Sequence, residues 1–380
     1  MRDDGAAMRG GPSGEQIGGQ TFERGVSVCV GFPVWKRPHM KPFFYSISER
    51  VIYIDDPARA VKCAKANNGR IITWAWPEKE DLIALAKAEG IDIIRMEDGF
   101  VRSVGLGSNF YVPYSLVLDK RGIYYDASKP SDLEYILEKG RIESQLLERA
   151  RRLRHEITAR NLTKYNIGAG NAFGLSLPKD KRTVLVPGQV EDDASVLCSV
   201  SDINTNLKLL ETVRQTRPNA FILYKPHPDV LAGNRPGGVP DEAVSKLCDK
   251  IIGNISAAVL TSMVDEVHTI ASLTGFEALL RGKDVYTYGS PFYAGWGLTA
   301  DRLDLPRRTR RISLDELVAA TLILYPTYYD WETERFCGPE TILDRLSAKY
   351  SLQTGAGDLS RSPLARLIRL FFGPYMQRAR

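Results

Sequence analysis

IITWAWPEKEDLIALAKAEGIDIIRM, Ile71 to Met96, reads as a strand, a helix and a second strand. Ile71 to Trp74 is a short apolar run. From Glu78 to Glu89 the apolar residues Leu82, Ile83, Leu85 and Ala86 fall on one helical face, and Gly90 supplies the stop. Ile91 to Met96 is nearly continuous apolar chain, as expected of a strand covered on both faces. Strands alternating with helices of this length predict parallel βαβ units.

Working outward, the same alternation extends in both directions. Val26 to Phe32 and Val51 to Ile54 read as strands, with a helix opening at Pro57. Downstream, Leu116 to Leu118 and Ile123 to Tyr125 are expected to close a lobe, followed by a charged helical stretch from Asp132 to Arg160. The Gly/Asn-rich stretch Asn166 to Gly174 marks a boundary. Strands at Thr183–Val186, Phe221–Tyr224, Val267–Ile270 and Val285–Tyr288 then alternate with helices at Asp202–Thr216, Glu242–Ile251 and Gly275–Arg281. Leu314 to Leu324 reads as an apolar helix ended by Pro326, and Pro339 opens another. The reading is α/β, two Rossmann-type lobes with a cleft between them and C-terminal helices. It divides as a flexible tail over 1–25, lobes over 26–165 and 166–312, helices over 313–350 and a tail over 351–380. Ligands in such folds sit at the carboxyl ends of strands.

Bulk properties exclude several classes. A 380-residue chain with 43% hydrophobic and 26% charged residues is a globular protein of about two domains. A net charge of +5 is too mild to argue for nucleic acid. Five cysteines without a C-x-x-C pair point to a reducing compartment and against a thiolate zinc site. Four histidines show no H-E-x-x-H spacing, so no metal is expected. No apolar run reaches the ~20 residues that span a bilayer, and no apolar core follows the charged N-terminus. The expected location is the cytoplasm.

Four segments that follow strands carry candidate chemistry. VPGQVEDDAS, Val186 to Ser195, gathers Gln189, Glu191, Asp192, Asp193 and Ser195. A carboxylate there could be nucleophile, general base or metal ligand, or merely cap the next helix. YKPHPDV, Tyr224 to Val230, is a stiff cationic loop in which Lys225 and His227 suit a phosphate, although Pro-rich turns are also ordinary. In ASLTGFEALLRGKDV, Ala271 to Val285, Ser272, Thr274 and Gly275 open a helix whose free N–H groups suit a phosphate. Glu277 there could accept from ribose hydroxyls or complete a capping box with Thr274. EDGFVRSVGLGS, Glu97 to Ser108, clusters Glu97, Asp98 and Arg102 beside Gly105 and Gly107, without the G-x-G-x-x-G continuation a dinucleotide site needs. Two further stretches are ambiguous. PFYAGWGLT, Pro291 to Thr299, offers Tyr293 and Trp296 to a sugar face or to a packed turn. PRRTRR, Pro306 to Arg311, is a solvated loop or a seat for anionic phosphates and lipid headgroups.

Together with GFPVWKRP at Gly31 to Pro38, these strings in this order resemble the KpsC/LipA family of capsule polysaccharide β-Kdo transferases over roughly residues 26 to 350. The chain looks like a single module of the two that longer members carry, most like the C-terminal one. The resemblance implies a GT-B-like, retaining, metal-independent glycosyltransferase that takes Kdo from CMP-Kdo. It implies a Kdo-bearing phosphatidylglycerol-type lipid acceptor at the inner-membrane surface, near the capsule export machinery. Residue by residue, it implies a catalytic set of Asp193 as nucleophile, with Asp192 the neighbouring alternative, Glu97 as acid/base, and His227 offsetting the charge of the leaving phosphate. Lys225, His227, Ser272, Thr274, Gly275 and Glu277 would hold CMP. Gln189, Arg102, Ser103, Ser195, Tyr293 and Trp296 would meet sugar or acceptor. Competing classes are a non-catalytic nucleotide-sugar-binding scaffold, an inverting sialyltransferase-like enzyme and a nucleotide-sugar epimerase. SPLARLIRLFFGPYMQR, Ser362 to Arg378, has the spacing of a short basic amphipathic helix that would lie on a membrane or cover a lobe.

Overall fold

We describe the fold from a computed structural model of the chain, which describes residues 16–17, 20–21, 25–34, 36–77, 79–105, 111–166, 172, 174–199, 201–233 and 235–355. The amphipathic stretch Ser362 to Arg378, most of the N-terminal tail, Gly107 and Ser108 lie outside the described residues.

The chain divides into two compact units, Met1–Trp74 with Lys79–Ile94, and Ala75–Glu78 with Arg95–Arg380. In the first, β1 (Val26–Val30) lies parallel between β2 (Arg50–Tyr53) and β3 (Arg70–Trp74). Helices α1 (Arg37–Ile47), α2 (Pro57–Ala66) and α3 (Glu80–Ala88) connect these strands. Asp56 caps α2 by accepting from Arg59 N, and Pro57 occupies the first turn where its missing N–H costs nothing. Val28, Val30, Ile71, Leu82 and Ala86 are buried together, which is the alternation read from the sequence turned into a core.

Strand β4 (Ile93–Asp98) begins in the first unit and continues in the second, where it pairs antiparallel with β5 (Ser115–Asp119). The expected strand at Ile123–Tyr125 is a turn instead. Asp119 Oδ1 accepts from the N–H groups of Arg121 and Gly122, and Asp126 N donates to Ile123 O, which curls the chain before it can extend. The charged helical stretch is two helices, α4 (Asp132–Lys139) and α5 (Ser144–Ala159), separated at Gly140.

The six-stranded parallel sheet follows. Its strands are β6 (Thr183–Pro187), β7 (Phe221–Lys225), β8 (Lys250–Ile251), β9 (Glu266–Thr269), β10 (Asp284–Thr287) and β11 (Ala300–Asp301), in the order β8-β7-β6-β9-β10-β11. The helices between them are α6 (Ala194–Leu197), α7 (Asn206–Thr216), α8 (Pro228–Leu231), α9 (Asp241–Leu247), α10 (Ala257–Met263) and α11 (Leu273–Leu280). Every residue of central β6 is buried, as its unbroken apolar run requires. The strand order reverses beside β6, so the ends of β6, β7 and β9 are the switch point where this architecture collects ligands.

The segment expected as an apolar helix over Leu314–Leu324 is α12 (Leu314–Val318), opened by a Ser313/Glu316 capping box, running into a π-helical turn over Ala319–Leu324. The C-terminal stretch also contains a hairpin, β12 (Pro326–Asp330) with β13 (Arg335–Cys337), before helix α13 (Pro339–Gly355). Thr327, Tyr328 and Tyr329 are residue types that fit a pleated half-buried surface, and β12 pairs antiparallel with β5.

Candidate functional site

The loop after β6 is fixed by close backbone contact. A Cβ on Gly188 would lie 2.8 Å from the Tyr224 hydroxyl and 3.1 Å from Pro226 Cα, so only glycine lets this loop meet the one after β7. Gly188 N donates to Lys225 O at 2.7 Å. Buried Asn206, at the start of α7, then welds the loop: it accepts from Gln189 N and donates to the carbonyls of Gln189 and Gly237, each at 2.8 Å. Glu191 Oε1 accepts from Asn206 N at 2.7 Å. Sequence reasoning missed Asn206, because it falls inside the helix expected over Asp202–Thr216 and carries no signal of its contacts with distant loops.

On this platform Asp193 is the N-cap of α6 and half-buried. Its Oδ2 accepts from the Ser195 hydroxyl at 2.7 Å and from Ser195 N at 3.3 Å, while Oδ1 has no partner among the described residues. Asp192 differs: it is exposed and bonded to Arg235 Nε at 3.0 Å and Nη2 at 2.5 Å. Each of the two keeps one oxygen without a partner among the described residues, but Asp193 is half-buried at a helix N-cap while Asp192 is exposed and tied to an arginine.

Half-buried His227 caps α8, its Nδ1 accepting from Asp229 N at 3.1 Å. An accepting Nδ1 leaves the proton on Nε2, which is therefore a hydrogen-bond donor. Burial lowers the His227 pKa, opposed by the nearby charges of Asp229 and Asp193 and reinforced by Arg235 and Lys225. Lys225 Nζ donates to Gly253 O at 3.3 Å and pairs with no carboxylate among the described residues. Burial lowers its pKa to about 8. Asp193, His227 and Lys225 thus share one electrostatic environment.

Gln189 joins this loop to the end of β9. Its Oε1 accepts from Thr269 Oγ1 at 3.0 Å and from Ile270 N and Ala271 N at 3.1 Å. That spends its carbonyl oxygen on aligning the start of α11. The N-cap of α11 is Ser272, which accepts from Thr274 N at 3.1 Å. Thr274 is therefore inside the helix, and the expected Thr274–Glu277 capping box does not form. Instead buried Glu277 accepts from Lys164 N at 3.0 Å, and burial raises its pKa. Gly275 permits a close approach: a Cβ there would sit 2.2 Å from the Tyr293 hydroxyl.

Several expected sugar contacts are corrected by burial. Tyr293 and Trp296 are both 0% exposed. The Tyr293 hydroxyl donates to Ser272 O at 2.5 Å, and Trp296 Nε1 donates to Phe292 O at 2.9 Å. Neither ring offers a face to a ligand; they brace the base of α11. Arg102 and Ser103 are also buried. Arg102 Nε bonds Asp98 Oδ2 at 2.6 Å and Nη1 bonds Ser103 Oγ, which itself donates to Gly105 O. The PRRTRR segment is exposed at Pro306, Arg307, Thr309 and Arg311, as a solvated loop is, but Arg308 is buried and three of its arginines are engaged. Arg307 and buried Arg308 pair with Glu134, Arg308 Nη1 bonds the carbonyls of Pro291 and Ala294 at 2.6 Å, and Arg310 bonds the end of α4.

Half-buried Glu97 accepts from Asp98 N at 2.9 Å. Two groups that sequence reading passed over connect it to the rest. The Lys164 carbonyl accepts from Arg102 N and Ser103 N, while its amide binds Glu277. Burial would push the Lys164 pKa down, but the fields of Tyr124, Tyr165, Asp98 and Glu97 hold it above its ordinary value. The buried Tyr125 phenol lies in the fields of both Glu97 and Asp193. In sequence Lys164 is a Lys in a connecting segment and Tyr125 the end of a run expected to close a lobe, and neither reads as a site residue. Among the described residues, no group of three or more His, Cys, Asp or Glu is arranged to hold a metal ion, and no helix is long and apolar enough to cross a membrane.

A family model described as capsule polysaccharide biosynthesis protein matches residues 71–328. The chain is 44% identical over 343 residues to the capsule polysaccharide modification protein LipA of Neisseria meningitidis serogroup B, covering 90% of this chain and 48% of LipA. It therefore spans about half the length of that relative. It is 41% identical over 312 residues to the lipopolysaccharide-processing protein LpsZ of Rhizobium meliloti, covering 80% of this chain and 70% of LpsZ. Two solved structures of Thermosulfurimonas dismutans KpsC are similar across 85% of this chain. The beta Kdo 2,7 transferase is 36% identical with a TM-score of 0.69 and 99% of it covered. The beta Kdo 2,4 transferase is 32% identical with a TM-score of 0.74 and 98% covered. Sequence is nearer to the first and backbone to the second. The α/β, GT-B-like fold expected from the sequence is shared with both. This chain belongs to the KpsC/LipA family of capsule polysaccharide biosynthesis proteins.

Proposed function

We propose that the chain is a retaining glycosyltransferase that moves Kdo from CMP-Kdo to a Kdo-bearing glycolipid acceptor. The observation that carries this reading is Asp193: one carboxylate oxygen is pinned by Ser195, the other is open, and the neutral His227 imidazole, an N–H donor, lies in the fields of both Asp193 and the Lys225 ammonium. A pinned carboxylate with an open oxygen is suited to attack carbon, and adjacent cationic groups are suited to a phosphate leaving group.

In the first step Asp193 Oδ1 attacks C2 of Kdo, the C2–O bond to phosphate breaks, and CMP leaves with the electron pair. Lys225, the Nε2–H of His227 and the start of α11 offset the charge that grows on the phosphate. In the second step an acceptor hydroxyl attacks C2, its proton passes to Glu97, and the Asp193 carboxylate is released. Two inversions give net retention. The protein groups suffice for the leaving-group charge, so the reading includes no metal. The acceptor's lipid would bring the chain to the inner-membrane surface and to capsule export partners.

The test combines the chain with CMP-Kdo and a Kdo-terminated acceptor in EDTA, and the product linkage is read by NMR. A β-linked product is expected. An α-linked product, CMP binding without turnover, or a strict magnesium requirement would overturn the reading.

A further inference from the structure

Gln189 is 5% exposed, and all but one of its polar atoms are engaged inside the protein. Its N–H donates to Asn206 Oδ1 and its carbonyl accepts from Asn206 Nδ2, both at 2.8 Å. Its Oε1 accepts from Thr269 Oγ1, Ile270 N and Ala271 N. Backbone N–H groups can only donate, so Ile270 and Ala271 fix which end of the side-chain amide is the oxygen. The remaining atom is Nε2. It has no hydrogen-bond partner among the described residues and, unlike the Tyr125 hydroxyl, it is not sealed from solvent. A side chain held at every other polar atom cannot turn this donor away, so it is oriented before any ligand arrives.

The anchors place the donor. Oε1 and Nε2 share one carbon, and Oε1 is bonded to the two residues that precede Ser272, the N-cap of α11. Nε2 therefore lies at the mouth of an eight-residue helix, where positive partial charge favours an anion. Three N–H groups at this end are already used internally. Ser272 N donates to Thr269 Oγ1 at 3.0 Å, Thr274 N to Ser272 Oγ at 3.1 Å and Gly275 N to Ser272 O at 3.0 Å. The helix supplies the field, and Gln189 supplies a donor within it. Gln189 also sits on the same loop as Asp193, the open carboxylate. A sugar hydroxyl would gain little from that field, whereas a phosphate oxygen gains most as its charge grows.

We propose that Gln189 is a catalytic residue of the donor site, its Nε2–H donating to a non-bridging oxygen of the CMP phosphate. As the C2–O bond to phosphate breaks and CMP takes the electron pair, this hydrogen bond strengthens on the growing charge, and no proton is transferred. The assignment rests on the transferase reading above. It moves Gln189 from the sugar, where the family resemblance put it, to the leaving group. One side chain then does two things: its oxygen aligns the start of α11 and its nitrogen meets the ligand.

Gln189→Glu separates the two roles. A carboxylate still accepts from Thr269, Ile270 and Ala271, so the Tm is expected to match that of the parent. It replaces the donor with an oxygen that repels phosphate. CMP affinity, read by calorimetric titration, is expected to fall roughly tenfold or more, and kcat by about a hundredfold, with the acceptor KM unchanged. Gln189→Met removes both roles, and its Tm is expected to fall as well. CMP affinity and kcat that survive Gln189→Glu overturn the assignment. So does a Tm for Gln189→Glu as low as that of Gln189→Met, because Nε2 would then belong to the brace. A loss confined to the acceptor KM also overturns it, since Nε2 would then meet the second substrate. The titration needs no turnover. A parent chain that binds CMP and transfers nothing defeats the transferase reading, while the affinity ratio between parent and Gln189→Glu still decides the phosphate contact.

Discussion

Two loops leave the same end of the same parallel sheet: residues 188–193 after β6 and residues 291–299 after β10. In sequence both look like sites, one rich in carboxylates and the other in aromatics and glycine. The structure separates them by what their polar atoms do. In the second loop the Tyr293 hydroxyl and the Trp296 N–H both end on carbonyls, and neither residue is exposed. In the first, Gln189 Oε1, Glu191 Oε1 and Asp192 Oδ1 are spent on internal bonds, while the second oxygen of each carboxylate and Oδ1 of half-buried Asp193 have no partner among the described residues. Residue type nominates a loop; the accounting of hydrogen bonds decides whether it binds or braces.

The largest expected effect lies on the open oxygen. Asp193→Asn keeps an N-cap of nearly equal quality, so the fold and CMP affinity should survive. A neutral amide is a poor nucleophile, and transfer should fall by roughly a thousandfold or more. Steady-state turnover alongside CMP titration checks both halves. Near-normal turnover in this variant would erase the distinction between the loops.

The bracing loop predicts the opposite profile. Trp296→Ala removes a fully buried indole and should cost about 3–5 kcal/mol of stability, seen as a lower Tm. The KM for CMP-Kdo of the remaining folded protein should stay within about twofold, roughly 0.4 kcal/mol. A large KM change with an unchanged Tm would mean that Trp296 meets substrate after all.

Much of the fold was legible, and the reason is local. β1, β3, β6 and β7 are short apolar runs bounded by turn residues, and the helices α2, α3 and α7 carry helix-spaced apolar faces with recognisable ends. The turn at Ile123–Tyr125 was not legible, because it is bent by Asp119, whose role depends on an antiparallel pairing with β4. The same limit applies at the site. The segments around Glu97, Asp193, Lys225 and Ser272 could be picked out because each follows a strand. Lys164 and Tyr125 could not, since their importance lies in which distant carboxylates they face. Nor could Arg308 be distinguished from its neighbours in PRRTRR, when its burial is created by Glu134 from another helix.

The cations beside the two loops extend the comparison, with a smaller effect. Arg308, next to the bracing loop, is neutralised by Glu134 and two carbonyls. Lys225, whose carbonyl accepts from Gly188 N at the base of the first loop, has only a carbonyl as partner for its ammonium among the described residues, and burial brings its pKa to about 8. Its ammonium form attracts the CMP phosphate, and its neutral form does not. Affinity for CMP should therefore be fully developed near pH 7 and weaken several-fold as pH rises through about 8. The phosphate itself favours the ammonium, so the midpoint in the complex lies higher than in the free protein. His227 adds no slope in this range, because its pKa is lowered and it is already neutral. Calorimetric titration from pH 7 to 9 should show the decline in the parent, a flat and tight profile in Lys225→Arg, and a flat and weak one in Lys225→Met. An Arg variant that still loses affinity above pH 8 would move the titrating group elsewhere and leave Lys225 no more engaged with ligand than Arg308 is.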